Sequence, residues 1–346
     1  MTIKVLIVDD SNFIAKRIRD ILTQPDRWGR CEFTIVGRAA NGLEAIRLCH
    51  QLRPDVVTMD VEMPVLDGIG AVKRIMAECP TPILMFSALT QAGAQATWAA
   101  LEAGAVDYLP KQLEEISADQ GQMQVQLRTR VKMVALQAQP HSAPLRPLAE
   151  ARAPEIKAPP KLILIAASTG GPVALQTVLS RFRSACQVPI VIVQHMPGQF
   201  TPSFALRLNQ LCAINVRQAQ SGDYLQAGLA LLAPGGMQLG FVNQGADISV
   251  VLRAKRPDEL YSPSADITFA SAAEQIHGGV VLAVVMTGMG ADGRVGAGLL
   301  KRNKALVWAQ NEQSCTIFGM PKAVIDAGLA DSILDLQQLG DAFSRF

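Results

Sequence analysis

Val5-Leu6-Ile7-Val8-Asp9-Asp10-Ser11 carries an unbroken apolar run that stops abruptly at two carboxylates. A run of aliphatic residues without alternation reads as a strand covered on both faces, as in a parallel sheet flanked by helices. The same pattern returns at Thr34-Ile35-Val36, Val56-Val57-Thr58-Met59 and Ile83-Leu84-Met85-Phe86, with a more polar fifth run at Val106-Asp107-Tyr108-Leu109. Helical stretches lie between these runs, over 12–22, 42–52, 69–78 and 91–103. Repeated βα units of this kind predict a doubly wound α/β domain, followed by a last helix over 123–137.

The composition then shifts. Residues 137–160 hold six prolines and six alanines and hardly any large apolar side chain. Proline removes backbone donors and fixes φ, so the stretch predicts an extended, semi-rigid linker. The expected division is 1–136, 137–160 and 161–346. Beyond the linker, Leu162-Ile163-Leu164-Ile165, Pro189-Ile190-Val191-Ile192-Val193 and Val280 to Val285 read as central strands of a second α/β domain with a mainly parallel sheet. The stretch from Leu229 to Leu252 is broken by Pro234-Gly235-Gly236 and Asn243-Gln244-Gly245. That is turn chemistry, and it predicts an antiparallel hairpin region at one edge of the sheet.

Of the 346 residues, 49% are hydrophobic, which suffices for two full-sized cores. Thirty-two basic and 30 acidic residues leave a net charge of +2. With no basic stripe and no helix-turn-helix pattern, nucleic acid is not an expected partner. No run reaches the roughly 18 apolar residues of a spanning helix, so no membrane insertion is expected. Met1-Thr2-Ile3-Lys4 lacks the marks of an export signal, and the six cysteines form no CxxC pair. The expectation is a cytoplasmic protein with free thiols.

Asp9, Asp10 and Asp60 stand at the ends of the first and third predicted strands, where a doubly wound sheet makes its binding crevice. Like charges brought together repel unless a cation neutralises them, and a carboxylate oxygen set suits Mg²⁺. Ser87 and Lys111 follow the fourth and fifth strands on the same rim, a hydroxyl and an ammonium able to hold phosphoryl oxygens. The alternative is that these aspartates merely cap the following helices. Over residues 3–125 the chain resembles a response-regulator receiver domain, a flavodoxin-like fold, through VDDS (8–11), TMDVEMPVLDG (58–68), MFSALT (85–90) and GAVDYLPK (104–111). The resemblance implies that Asp60 accepts phosphate from a histidine kinase of the CheA type. It also implies that Asp10, Asp60 and the carbonyl of Glu62 bind Mg²⁺ directly, with Asp9 acting through water, and that Ser87 and Lys111 sense the phosphoryl group. The family usually has proline after the lysine; Gln112 stands there in this chain.

Ser168 closes the strand 162–167 and is followed by Thr169-Gly170-Gly171-Pro172, a strand-to-helix corner whose amides favour negative charge. Such a serine is a helix cap, an anion cradle or, with a base in reach, a nucleophile. Of four histidines, only His195 ends a predicted strand in the same domain as Ser168. Thr287-Gly288-Met289-Gly290-Ala291-Asp292-Gly293 follows the next central strand, so its amides could face an oxyanion and Asp292 could orient an imidazole. The chain order Ser, His, Asp and the missing first glycine of a GxSxG elbow disfavour an α/β-hydrolase. The whole chain resembles the chemotaxis protein-glutamate methylesterases, the CheB family. The resemblance is carried by ASTGGP (167–172), VQHMPGQFTPSFALRLN (193–209), APGG (233–236), PSAD (263–266) and TGMGADG (287–293). It implies Ser168 as nucleophile, His195 as general base and acid, Asp292 as orienter, the Met289 amide as oxyanion donor and Thr169 in the pocket. The implied reaction is hydrolysis of glutamate γ-methyl esters on chemoreceptors, with glutamine deamidation in many members and a receiver that gates access.

Overall fold

The computed structural model describes residues 2–25, 29–111, 120–136, 158–183, 186–245 and 247–346. The chain divides into two compact units, Met1–Pro144 and Leu145–Phe346. Gln112 and residues 137–157 of the expected linker lie outside the described residues.

The first unit alternates strand and helix throughout: β1 (Ile3–Val8), α1 (Asn12–Thr23), β2 (Phe33–Ala39), α2 (Gly42–Leu52), β3 (Val56–Asp60), α3 (Gly68–Glu78), β4 (Ile83–Ala88), α4 (Gln91–Glu102), β5 (Asp107–Lys111) and α5 (Gln120–Leu136). The sheet is parallel in the order β2-β1-β3-β4-β5. Val5 and Ile7 pack on one face against Ile18 and Leu22 of α1 and Val131 and Val134 of α5. Leu6 and Val8 point to the other face and are equally buried, so the unbroken run is covered on both sides. Ser11, Asn41, Asp67 and Thr90 begin the first four helices, each accepting an amide hydrogen two or three residues into its helix. Capping therefore falls to these residues. The chain order reverses at β1, which leaves Asp9, Asp10 and Asp60 at the C-terminal end of neighbouring strands.

The second unit holds β6 (Leu162–Ala167), α6 (Gly171–Leu179), β7 (Ile190–Gln194), α7 (Thr201–Leu211), β8 (Asn215–Gln218), β9 (Leu229–Leu232), β10 (Met237–Gln244) and β11 (Asp247–Ala254). After these come α8 (Ala265–Gln275), β12 (Val281–Val285), α9 (Arg294–Arg302), β13 (Leu306–Gln310), α10 (Met320–Asp326), β14 (Ser332–Leu334) and α11 (Leu336–Phe343). Seven parallel strands form one sheet in the order β14-β13-β12-β6-β7-β9-β8. One sequence expectation needs correction. Leu229–Leu232 is a parallel strand between β7 and β8, and only β10 and β11 form the antiparallel hairpin, as a separate sheet. The reason is burial: Ala230, Leu231 and Leu232 are all enclosed, as a central strand requires, whereas the hairpin has one apolar face only. That face packs Leu239, Phe241, Ile248 and Val250 against α8 through Phe269, Ala272 and Ala273. Every residue of β6 is fully buried. From β6 the chain builds the sheet outward in both directions, through β7 on one side and β12 on the other. The C-terminal ends of these three strands define the crevice.

Candidate functional sites

In the first unit the carboxylates of Asp9, Asp10 and Asp60 lie within 4.8 Å of one another. Asp10 and Asp60 border a cleft of about 540 Å³ that Glu62, Ser87 and Lys111 also line. Lys111 Nζ stands 2.5 Å from Asp60 Oδ2 and 3.4 Å from Asp9 Oδ2. Burial pushes the Asp9 carboxyl up, Lys111 opposes it, and the neighbouring Asp60 charge adds to it. Burial likewise pushes Asp60 up against the pull of Lys111. Asp9 Oδ2 is buried with no hydrogen-bond partner. A buried carboxylate oxygen that has only the 3.4 Å ion-pair contact with Lys111, beside two more carboxylates, fits a hard divalent cation, which takes oxygen ligands. The Ser87 hydroxyl donates to the carbonyl of Gly93 at 2.8 Å and so ties the end of β4 to α4. Asp60 is also held from behind. A Cβ on Gly68 would lie 2.0 Å from the Asp60 carbonyl oxygen, so only glycine lets α3 start this close to the strand.

In the second unit, β6 and β7 pair Ala167 with Gln194, so Ser168 and His195 are the next residues beyond the two strand ends. His195 N donates to Ala167 O at 3.1 Å, and Ser168 N donates to Thr287 O at 2.9 Å. These bonds tie three loops to one another. Gly288 presses on the Ser168 loop: a Cβ there would lie 2.8 Å from Ser168 Cβ. Gly170 has φ +73°, the left-handed turn that starts α6. Thr169 is buried, and its carbonyl accepts the Thr287 hydroxyl at 2.9 Å. Met289 is half-buried on the loop after β12, and its N–H has no hydrogen-bond partner among the described residues.

His195 Nε2 and Asp292 Oδ2 are 2.8 Å apart. Asp292 also accepts from Ser264 Oγ (2.8 Å), Ala265 N (2.6 Å) and Asp266 N (2.9 Å). These donors form the N-terminus of α8, which favours a carboxylate by its free amides and its dipole. Burial alone would raise the Asp292 carboxyl, but the His195 contact and the α8 amides outweigh it and hold the group below its usual range. His195 Nδ1 is buried and has no partner. Among the described residues no hydrogen bond joins the Ser168 hydroxyl to the imidazole. The structure thus brings His195 and Asp292 into direct contact and Ser168 onto the neighbouring strand end. Free-enzyme contacts of this kind commonly tighten only when substrate is bound.

Four further residues surround the pair without having been singled out by sequence. Gln194, 1% exposed, donates its amide to the carbonyls of Ser168 (2.9 Å) and His195 (3.1 Å). Tyr261 stacks on the imidazole with ring centroids 4.5 Å apart. Gln238 spans Glu259, Tyr261 and Ser264. Ser264 donates to Asp292 while capping α8. Gln194 and Ser264 left a signal, Gln194 within VQHMPGQ beside His195 and Ser264 as the small polar residue ahead of a helix in PSAD.

Outside this ring, Glu259 pairs with Arg253 and accepts the Arg256 amide. The side-chain hydrogen bond from Arg253 and the amide of Arg256 hold its carboxyl down at about 2, from an ordinary 4.5. A carboxyl lowered on folding contributes stability above its unfolded value, lost as pH falls through its folded one. Glu259→Gln is therefore expected to melt below the parent at neutral pH. The gap should close between about pH 4.5 and pH 2 in thermal melts.

The chain matches the response regulator receiver domain family over residues 5–119 and the CheB methylesterase family over residues 163–343. It is 44% identical to the protein-glutamate methylesterase/protein-glutamine glutaminase of Pseudoalteromonas translucida, over 98% of this chain and 97% of that one. It is 46% identical to protein-glutamate methylesterase/protein-glutamine glutaminase 1 of Pseudomonas aeruginosa, over 98% of each. The crystal structure of the Thermotoga maritima CheB methylesterase catalytic domain covers 54% of this chain and 98% of its own length. It matches at 34% identity with a TM-score of 0.51. Among the described residues no helix is long and apolar enough to cross a membrane.

Proposed function

The chain belongs to the CheB methylesterase family, with a response regulator receiver domain ahead of the esterase, and we propose that it hydrolyses glutamate γ-methyl esters of chemoreceptors under control of phosphorylation at Asp60. Protein-glutamine deamidation is the second activity of the same site. The reading rests above all on the 2.8 Å contact between His195 and Asp292, with Nδ1 of the same ring buried and unpartnered beside the strand that carries Ser168.

In this mechanism Ser168 Oγ attacks the ester carbonyl and His195 Nδ1 takes its proton. The Oγ–C bond forms, and the carbonyl oxygen becomes an oxyanion facing the Met289 amide. Asp292 stabilises the imidazolium that results, since its position is fixed by four donors before the reaction begins. The imidazolium then protonates the departing methoxy oxygen. The C–O bond breaks, methanol leaves and an acyl-enzyme remains. Water, deprotonated by the same nitrogen, releases the glutamate and restores Ser168. For a glutamine, ammonia leaves in place of methanol.

In the receiver, Asp9, Asp10 and Asp60, with the Glu62 carbonyl, would hold Mg²⁺, which supplies charge neutralisation at the phosphoacceptor. Lys111 and Ser87 hold the phosphoryl oxygens, and a histidine kinase of the CheA type is the donor. Methanol release from methylated receptor membranes tests the reading. A small-molecule phosphodonor with Mg²⁺ is expected to raise release by about 5–150-fold, the usual range of a coupling between sites. Asp60→Asn should show the basal rate and no response. No methanol under either condition would refute the assignment.

A further inference from the structure

We propose that Tyr261 is a positioning residue of the esterase, holding the His195 imidazole by its ring face; the inference rests on the triad reading above. The two rings are stacked, 4.5 Å between centroids and 8° between planes. Asp292 grips the imidazole at its edge, and Tyr261 covers its face. An edge contact alone leaves the ring free to swing about that hydrogen bond. A face contact removes this freedom, so Nδ1 keeps one direction.

Tyr261 is itself fixed from two sides. Its carbonyl accepts from Gln238 Nε2 at 2.7 Å, and Oε1 of the same side chain accepts Ser264 N at 2.9 Å. Gln238 is 1% exposed on β10, so this amide is a rigid strut. It sets both the ring that covers the imidazole and the serine that holds Asp292. At its other end the phenol reaches the loop after β12. A Cβ on Gly290 would lie 2.7 Å from Tyr261 Oη, and glycine at φ +87° leaves that space to the hydroxyl. Tyr261 thus packs on the base and on the loop that carries the Met289 amide.

The contact favours the reaction as well as the geometry. An aromatic face is electron-rich and attracts a cation lying over it. The imidazole is neutral before Ser168 attacks and cationic afterwards. Interaction with the ring is therefore stronger in the transition state than in the ground state, which raises kcat without tightening substrate binding.

The experiment uses the full chain and methylated receptor membranes, with kcat and KM measured for Tyr261→Phe, Tyr261→Leu and Ser168→Ala. Leu keeps an apolar cover but has no aromatic face. It is expected to lower kcat about 10–30-fold with KM within about twofold. Phe retains the stack and should restore kcat to within about threefold. A Leu variant with the parent's kcat, a change confined to KM, or a Phe variant as impaired as Leu would each overturn the inference. Tyr261→Met supplies the same comparison if Leu does not fold. Turnover persisting in Ser168→Ala would instead overturn the triad reading. An inert Ser168→Ala beside an unimpaired Tyr261→Leu would overturn the role of Tyr261 alone.

Discussion

Ser168→Ala is expected to lower methanol release from methylated receptor by about 10⁴–10⁶-fold while leaving the fold intact. The size of the loss follows from the mechanism. A serine nucleophile splits one difficult hydrolysis into two easier steps, and without its oxygen neither step exists. What remains is the binding site and the amides after β12, which can still polarise a carbonyl for direct attack by water. The fold should be indifferent for a structural reason. Ser168 is tied down by its backbone, N–H to Thr287 and carbonyl to Gln194. Its Cβ, which packs against Gly288, is kept in alanine. Its hydroxyl forms no hydrogen bond with the imidazole, so removing it orphans no buried partner there. Thermal melts of the two proteins should agree to within about 2 °C, since the change is smaller than about 0.5 kcal/mol. Turnover near the parent's rate in a folded variant would remove Ser168 from the chemistry.

The residues that sequence made legible share one property: they end strands. Asp9, Asp10, Asp60, Ser168 and His195 follow apolar runs that could only be buried on both faces. The parallel sheet that such runs imply sends all of those ends to one rim. Position along the chain is then nearly position in space. This logic fails wherever the link between the two is lost. Leu229–Leu232 is too short and too near a Pro-Gly-Gly turn to announce itself as an inner strand, and its partners were settled by burial. Ser87 ends a buried strand on the same rim, but the direction of its hydroxyl, here toward the Gly93 carbonyl, is set by a side-chain rotation that no sequence pattern encodes. The support of Asp292 was hidden for a different reason. Gln238 and Tyr261 lie in a hairpin and a loop whose path depends on how the hairpin folds over α8. No spacing in the sequence encodes a stack between residues 195 and 261.

The second large effect belongs to Asp292. Asp292→Asn is expected to lower kcat by about 10³–10⁴ and, unlike Ser168→Ala, to destabilise the second unit by about 2–4 kcal/mol. The carboxylate is 4% exposed and accepts from Ser264 Oγ, two backbone amides and the imidazole. An amide of the same shape has one accepting oxygen and one donating NH₂. Turned one way, the NH₂ faces the Ser264 hydroxyl and the Asp266 amide; turned the other, it faces Ala265 N and His195 Nε2. Each orientation sets donor against donor in a buried place. If the NH₂ meets Nε2, the imidazole must shift its proton to Nδ1, and the nitrogen left for Ser168 can no longer act as a base. That accounts for the catalytic loss, and the unpaired amides of α8 account for the lost stability. Acid supplies the control. The Asp292 carboxyl is held below its usual range in the folded chain, so its contribution is present above about pH 4 and disappears as pH falls through the lower folded value. Denaturant midpoints of parent and variant should therefore lie far apart at neutral pH and converge below about pH 4. A gap that stayed constant with pH would mean the carboxylate's charge is not what α8 binds.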